Sequence, residues 1–290
     1  MVGDEVARGC REPGYCLDAD LDVVLPRAAQ TDSLSRRRRF NRRGNFMNHR
    51  QPDLARRATA ELVGTGLLLA AVVGSGIAGE RLAAGNTALT LLANTTATGA
   101  ALVALILTFG PVSGAHFNPA VTLADAWLGG TPWREVPAYI GAQVTGAFIG
   151  VGLANLMFGE PVFFASRHIR GGGAQLLGEF VATFGLLAVI RGCAARRPEA
   201  VPFAVAAFIT GAYWFTSSTS FANPAVTMAR AASDTFAGIR PINVPGFIAA
   251  QILGATAATA LFGWLVPKMP KDDPCPVNLP AESKREEVYR

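Results

Sequence analysis

Two asparagines are the residues whose type and spacing could do chemistry. Asn118-Pro119-Ala120-Val121-Thr122-Leu123-Ala124 returns 105 residues later as Asn223-Pro224-Ala225-Val226-Thr227-Met228-Ala229, each time where an apolar run has just ended. Asn is a strong N-cap because its side-chain oxygen accepts from an orphan backbone N–H. Pro at the first helical position loses no hydrogen bond and brings its φ already set. Each motif therefore starts a helix. The first continues with small apolar residues from Pro119 to Leu128. At 1.5 Å per residue that is roughly 15 Å, against about 30 Å for a bilayer core. Such helices reach only halfway. Two of them entering from opposite faces would meet end to end at the midplane, with both positive dipole ends on one spot. Capping through oxygen leaves the carboxamide N–H donors of Asn118 and Asn223 facing outward. The pair would hold and orient a neutral solute and repel a cation. Short, interrupted helices at matching places in two halves of a chain point to a membrane transport site.

The elements that must position these motifs are membrane spans. Apolar runs predict spans at about Ala58–Ala78, Thr87–Phe109 and Pro137–Phe158, then Ala174–Ile190, Val201–Phe215 and Val244–Val266. The re-entrant segments fall at about Pro111–Leu128 and Thr216–Ala232. The expected fold is an all-α membrane protein: six transmembrane helices plus two re-entrant half-helices. The halves, about 55–172 and 173–267, echo each other. Glu61-Leu-Val-Gly resembles Glu179-Phe-Val-Ala, and Tyr139-Ile-Gly-Ala-Gln143 resembles Phe247-Ile-Ala-Ala-Gln251. Three spans per half is an odd number, so the second half inserts upside down as an inverted repeat. Small residues such as Gly64, Gly66, Gly99, Gly146, Gly150 and Gly254 would let helices pack closely in lipid.

Charge supports this division. Residues 1–57 hold 12 Lys/Arg and 8 Asp/Glu and residues 268–290 hold 5 of each, leaving 9 basic and 8 acidic groups in the 210 residues between. A body so poor in charge is a membrane bundle rather than a soluble core. Residues 1–54 form a basic tail, of which 1–46 show no hydrophobic period and read as disordered. Met47, just before the first span, reads as a second candidate start. Residues 268–290 form a polar, proline-rich tail. The run Arg36-Arg37-Arg38-Arg39 with Arg42 and Arg43 is read as a positive-inside flank rather than as a nucleic-acid site. Together with Arg191, Arg196 and Arg197 it places both termini in the cytoplasm, in an inner, cell membrane. Cys10, Cys16, Cys193 and Cys275, and His49, His116 and His168, show no metal-ligand spacing. No secretory signal opens the chain. No cofactor or metal is implied, and no nucleophile, base and orienting group occur together, so an enzyme is not expected.

Glu61 and Glu179 are the charged residues well inside full spans. An intramembrane carboxylate suggests function by default, here a proton relay. Their matched places in the repeat favour a structural role, accepting backbone N–H bonds from the re-entrant loops, whose irregular backbone must be satisfied. Asp125 and Arg230 occupy equivalent places, seven residues after each motif Asn, toward the half-helix ends.

With both Asn-Pro-Ala motifs intact, and Ser113-Gly114-Ala115-His116-Phe117 before the first, residues 55–267 resemble the aquaporins, the major intrinsic proteins. The resemblance implies a homotetramer in the bilayer conducting small neutral solutes. It also implies a second constriction, outside the midplane, set by Thr98, Gly211, Ser220 and Val226. Most of that family has Arg directly after the second motif; here it is Val226. Water channels typically place an aromatic and a His at the two span positions, here Thr98 and Gly211. Glycerol channels usually follow the Arg with Asp, where Thr227 stands. The expected aperture is wide, has few donors and lacks a fixed positive charge. The phrase Thr219-Ser-Phe-Ala-Asn-Pro-Ala-Val-Thr-Met-Ala-Arg230 resembles bacterial aquaporins linked to arsenic resistance. That implies passive, bidirectional conduction of neutral arsenite or related metalloid hydroxides. A broad glycerol, urea and water channel is the nearest alternative; a closed structural protein or a proton-coupled carrier lies further off.

Overall fold

The computed structural model describes residues 52–266. Both tails, Met47, and Cys10, Cys16, Cys275 and His49 lie outside the described residues. Eight α-helices follow in order: α1 (Leu54–Leu82), α2 (Thr87–Ser113), α3 (Pro119–Trp127), α4 (Val136–Met157), α5 (Gly173–Ala194), α6 (Val201–Phe215), α7 (Pro224–Arg230) and α8 (Val244–Leu265). The described residues contain no strand. Five helices are long and apolar enough to cross a membrane by themselves. The remaining span, α6, has 15 residues, about 22 Å of helix, and gains a turn from the 3-10 segment Pro198–Ala200. The six spans and the two short helices α3 and α7 form the inverted repeat.

Helix ends differ from the expected spans for local reasons. Asp53 accepts from the backbone N–H of Arg56 at 2.9 Å and so starts α1 four residues early. At the other end α1 continues through Glu80 and Arg81, whose guanidinium reaches Glu160 at 2.7 Å. The second span does not stop at Phe109: α2 runs through Pro111 and ends at Gly114, whose φ of 88° is the left-handed C-cap that glycine adopts freely. The second re-entrant segment is helical only over the seven residues of α7; its first part is irregular loop.

The packing has membrane-protein polarity. Leu67, Leu92, Leu107, Leu153, Phe203 and Leu253 are exposed, while Glu61, Gln143, Glu179 and Gln251 are fully buried. Association of such helices relies on close approach, and the glycines provide it. A Cβ at Gly146 would run into the Leu62 carbonyl and one at Gly150 into the Gly66 carbonyl, which fixes α4 against α1. In the second half a Cβ at Gly254 would meet the Phe180 carbonyl, holding α8 against α5. Gly64 leaves room for the Phe117 ring and Gly99 for Thr210.

Candidate functional site

Each re-entrant loop hangs from one carboxylate. Glu61 takes the Ser113 hydroxyl at 2.6 Å and the backbone N–H groups of His116 and Phe117 at 3.0 and 2.7 Å. Glu179 takes those of Phe221 and Ala222 at 2.8 and 2.9 Å. A glutamine completes each brace. Gln143 Nε2 donates to Glu61 and to the Thr122 hydroxyl, and Gln251 Nε2 donates to Glu179 and to the Thr227 hydroxyl. Buried carboxylates need such donors, and the loops need acceptors where no water reaches.

The braces hold an unusual backbone. Ala115, Phe117, Ser220 and Ala222 have φ between 48° and 50°, a left-handed conformation that costs an L-residue about 1–2 kcal/mol each. Alternate residues turned this way reverse successive carbonyls and lead the chain to each motif. Asn118 and Asn223 then cap α3 and α7 through their Oδ1 atoms, accepting from Ala120 at 2.9 Å and from Ala225 at 3.0 Å. Their donors are not all outward. Asn118 Nδ2 donates to the Ala222 carbonyl and Asn223 Nδ2 to the Phe117 carbonyl, both at 2.8 Å. Each carboxamide thus ties its own half-helix to the opposite loop, and one of its two N–H groups remains for a solute.

One cavity of about 280 Å³ passes both asparagines and takes lining from both halves. Its walls are largely apolar, with Val72, Leu102, Leu187, Val205 and Ile209 among them. Thr98, Ser220 and Val226 line it. Ser220 Oγ is buried and has no hydrogen-bond partner among the described residues. Gly211 does not line it. That residue is exposed on α6, and Ile209 and Tyr213 turn inward instead. The Tyr213 hydroxyl lies 3.4 Å from Thr98 Oγ1. A count back from Asn223 crosses the Thr216–Ala222 loop, whose left-handed residues break helical register. On this stretch of α6 the cavity therefore meets Ile209 and Tyr213 and not Gly211.

The expectation of an opening without fixed positive charge also needs correction. Arg230 lines the same cavity, is 2% exposed, and stacks with its guanidinium carbon 3.4 Å from the Phe221 ring centroid. Its Nε donates to the Ala237 carbonyl. Arg170 approaches the same ring at 5.1 Å. The sequence signal was present: residues 226 and 230 are four apart on α7, and helical side chains lean toward the N-terminus, so a long side chain at 230 covers the ground that 226 leaves open.

Around that end, Arg170 donates to the carbonyls of Gly238, Ser218 and Phe236 and to the Thr219 hydroxyl. Burial pushes this guanidinium below its ordinary value. Asp234 accepts the backbone N–H and the Nε of Arg167, both at 2.7 Å, and the backbone bond above all holds its carboxyl below the usual range. At the opposite end Asp125 and Arg191 line the cavity. Asp125 Oδ2 takes the backbone N–H and the hydroxyl of Thr131, both at 2.7 Å, and lies 3.9 Å from His116 Nε2. Among the described residues no group of three His, Cys, Asp or Glu could hold a metal ion.

Comparison with known proteins decides the family. The profile described as Major intrinsic protein matches residues 48–215. The chain belongs to the major intrinsic protein family. It is 55% identical over 214 residues to the aquaglyceroporin AqpS of Rhizobium meliloti, covering 74% of this chain and 91% of that one. Aquaporin NIP1-1 of Oryza sativa is 46% identical over 98 residues, 33% of this chain and 34% of that one. A probable glycerol uptake facilitator of Thermotoga maritima is 37% identical over 115 residues, 36% of this chain and 49% of that one. The X-ray structure of the aquaglyceroporin from Plasmodium falciparum superposes with a TM-score of 0.58 at 18% identity, over 72% of this chain and 96% of that one; it shares the fold. This major intrinsic protein is a multi-pass membrane channel of the aquaglyceroporin type for small solutes.

Proposed function

We propose that the channel conducts small, neutral, polyhydroxylated solutes passively and in both directions, with arsenite and related metalloid hydroxides as its main cargo. The single observation that carries this reading is the cavity's character. It is largely apolar, and it offers isolated polar atoms at the two asparagines, at Ser220, and at Thr98 with Tyr213. Trivalent arsenic in neutral water is mainly an uncharged trihydroxy species. Such a solute can exchange its water bonds for these few partners one at a time, while its compact body fits beside Val226. Thr98, Ser220 and Val226 set the constriction together with Tyr213, and Asn118 and Asn223 hold the solute at the midplane. Glu61 and Glu179 support the loops rather than relaying protons. The second reading, a broad glycerol and urea channel, is favoured by Tyr213, because an aromatic face beside a hydroxyl suits a carbon-backed polyol.

We infer an inner-membrane homotetramer with both termini in the cytoplasm. The basic residues Arg56, Arg57 and Arg191 at one end of the bundle support that orientation.

The test is light-scattering swelling of proteoliposomes under water, glycerol and arsenite gradients side by side. Arsenite permeation at or above the glycerol rate is the expected result. Fast glycerol with little arsenite would move the assignment to the general polyol channel, and no solute flux would make the protein a closed one.

A further inference from the structure

Resting on the channel reading above, we propose that Arg230 is the cation-excluding filter residue of this pore, standing in from the last turn of α7 for a charge that position 226 lacks. Four observations converge. Arg230 lines the cavity that both asparagines line, so its charge faces the conduction path. It is almost wholly buried and held in one place, with its Nε on the Ala237 carbonyl and its plane over Phe221. That ring is itself fixed edge-on against Phe247, centroids 5.3 Å apart. Among the described residues Arg230 forms no ion pair, and Nε is the guanidinium nitrogen with a recorded hydrogen bond. The two terminal nitrogens keep their donors for the cavity.

Arg170 has the same charge and shares the same ring, but its role is different. Three of its nitrogens are bonded to the carbonyls and hydroxyl of the outer loops. It is a positioning residue that fixes the wall against which Arg230 stacks. The nearest buried carboxylate of this half, Glu179, is engaged with two loop N–H groups and Gln251. The outer constriction therefore carries net positive charge. A cation about 6 Å from one such charge, at an effective dielectric constant of about 20, is disfavoured by roughly a hundredfold. A neutral hydroxyl solute meets instead a pair of forked donors. Val226 makes this arrangement workable: a small side chain one turn earlier leaves the space across which Arg230 reaches.

The test reads methylammonium leak and proton leak beside glycerol swelling in the same proteoliposomes. Arg230→Gln should raise methylammonium leak, relative to glycerol flux in the same vesicles, by on the order of tenfold or more. Restoring a guanidinium with Val226→Arg in that background should suppress the leak again. Because Arg230→Gln removes a buried stacking partner, Arg230→His supplies an internal control. Imidazole can stack on Phe221, and it changes charge between about pH 5.5 and pH 8, while methylammonium stays charged across that range. Leak that opens as pH rises in Arg230→His, and not in the wild type, supports the proposal. A folded Arg230→Gln that excludes methylammonium as the wild type does, or an Arg230→His leak equal at both pH values, overturns it. Wild-type vesicles that pass no glycerol or arsenite would instead overturn the channel reading itself.

Discussion

The two half-helices are built alike and charged in opposite senses. Each begins at an Asn-Pro-Ala, each is led in by left-handed residues, and each loop is held by a Glu and a Gln in matching positions. Seven residues past the asparagine they part: α3 carries Asp125 and α7 carries Arg230. Two residues before it they part again, as His116 and Phe221. The α3 end of the cavity thus holds a hydrogen-bonded acid beside a histidine, and the α7 end a stacked guanidinium. What the repeat keeps is the machinery that holds irregular backbone in a place without water. What it varies is the set of groups a solute meets first on each side.

The largest effects should come from the shared part. Glu179→Ala removes the acceptor of two backbone N–H groups and one amide. Each unsatisfied buried donor costs about 1–3 kcal/mol, so the variant should lose several kcal/mol or fail to fold. Glu61→Ala should behave the same way, and Glu→Gln at either site should fall between, as read by thermal unfolding in detergent. Equal melting of Glu61→Gln and the wild type, with flux now insensitive to a pH gradient that had driven it, would make these residues proton relays and break the symmetry argument.

Next comes the packing that both halves use. Gly146→Val drives a side chain into the Leu62 carbonyl and Gly254→Val into that of Phe180. Overpacking of this kind costs typically about 1–3 kcal/mol, and the two should destabilise to a similar degree in the same unfolding assay.

A smaller, functional effect sharpens the contrast at the α7 end. Val226→Arg should narrow the cavity and lower arsenite flux more than water flux, by about tenfold in their ratio, or ~1.4 kcal/mol. An unchanged arsenite rate would remove Val226 from the constriction.

The smallest effect concerns the loops that join Arg167 to Asp234. The carboxyl of Asp234 is depressed in the folded protein, so its contribution is present above its unfolded pKa, about 3.9, and is lost as pH falls through the lower folded value. Hydrogen exchange at the Arg167 amide should therefore quicken only in acid below about pH 4, and Asp234→Asn should remove that dependence.

How much of this was legible in the sequence follows from distance along the chain. Asn118, Asn223, Ser220 and Val226 could be placed because capping and three-residue spacing are local. The braces could be anticipated because Glu61 and Glu179 recur at matching places in the two halves. Gly211 is separated from Asn223 by a left-handed loop that helical spacing does not cross, and Tyr213 takes the inward position. Arg230 stands at the helix end as its spacing implies, but its reach over Phe221 depends on the room beside Val226 and on the Ala237 carbonyl folding back toward it, which are not local features. The cross-links from Asn118 to Ala222 and from Asn223 to Phe117 join segments over a hundred residues apart, and no local pattern announces them.

The most direct measurement is arsenite flux into proteoliposomes at a series of external pH values, with and without an imposed proton gradient. A passive channel for neutral solutes gives a flux that follows the fraction of uncharged trihydroxy species, falls as that species ionises at high pH, and ignores the gradient. A flux that persists on the anion, or that rises and falls with the proton gradient, would contradict a passive channel for neutral solutes.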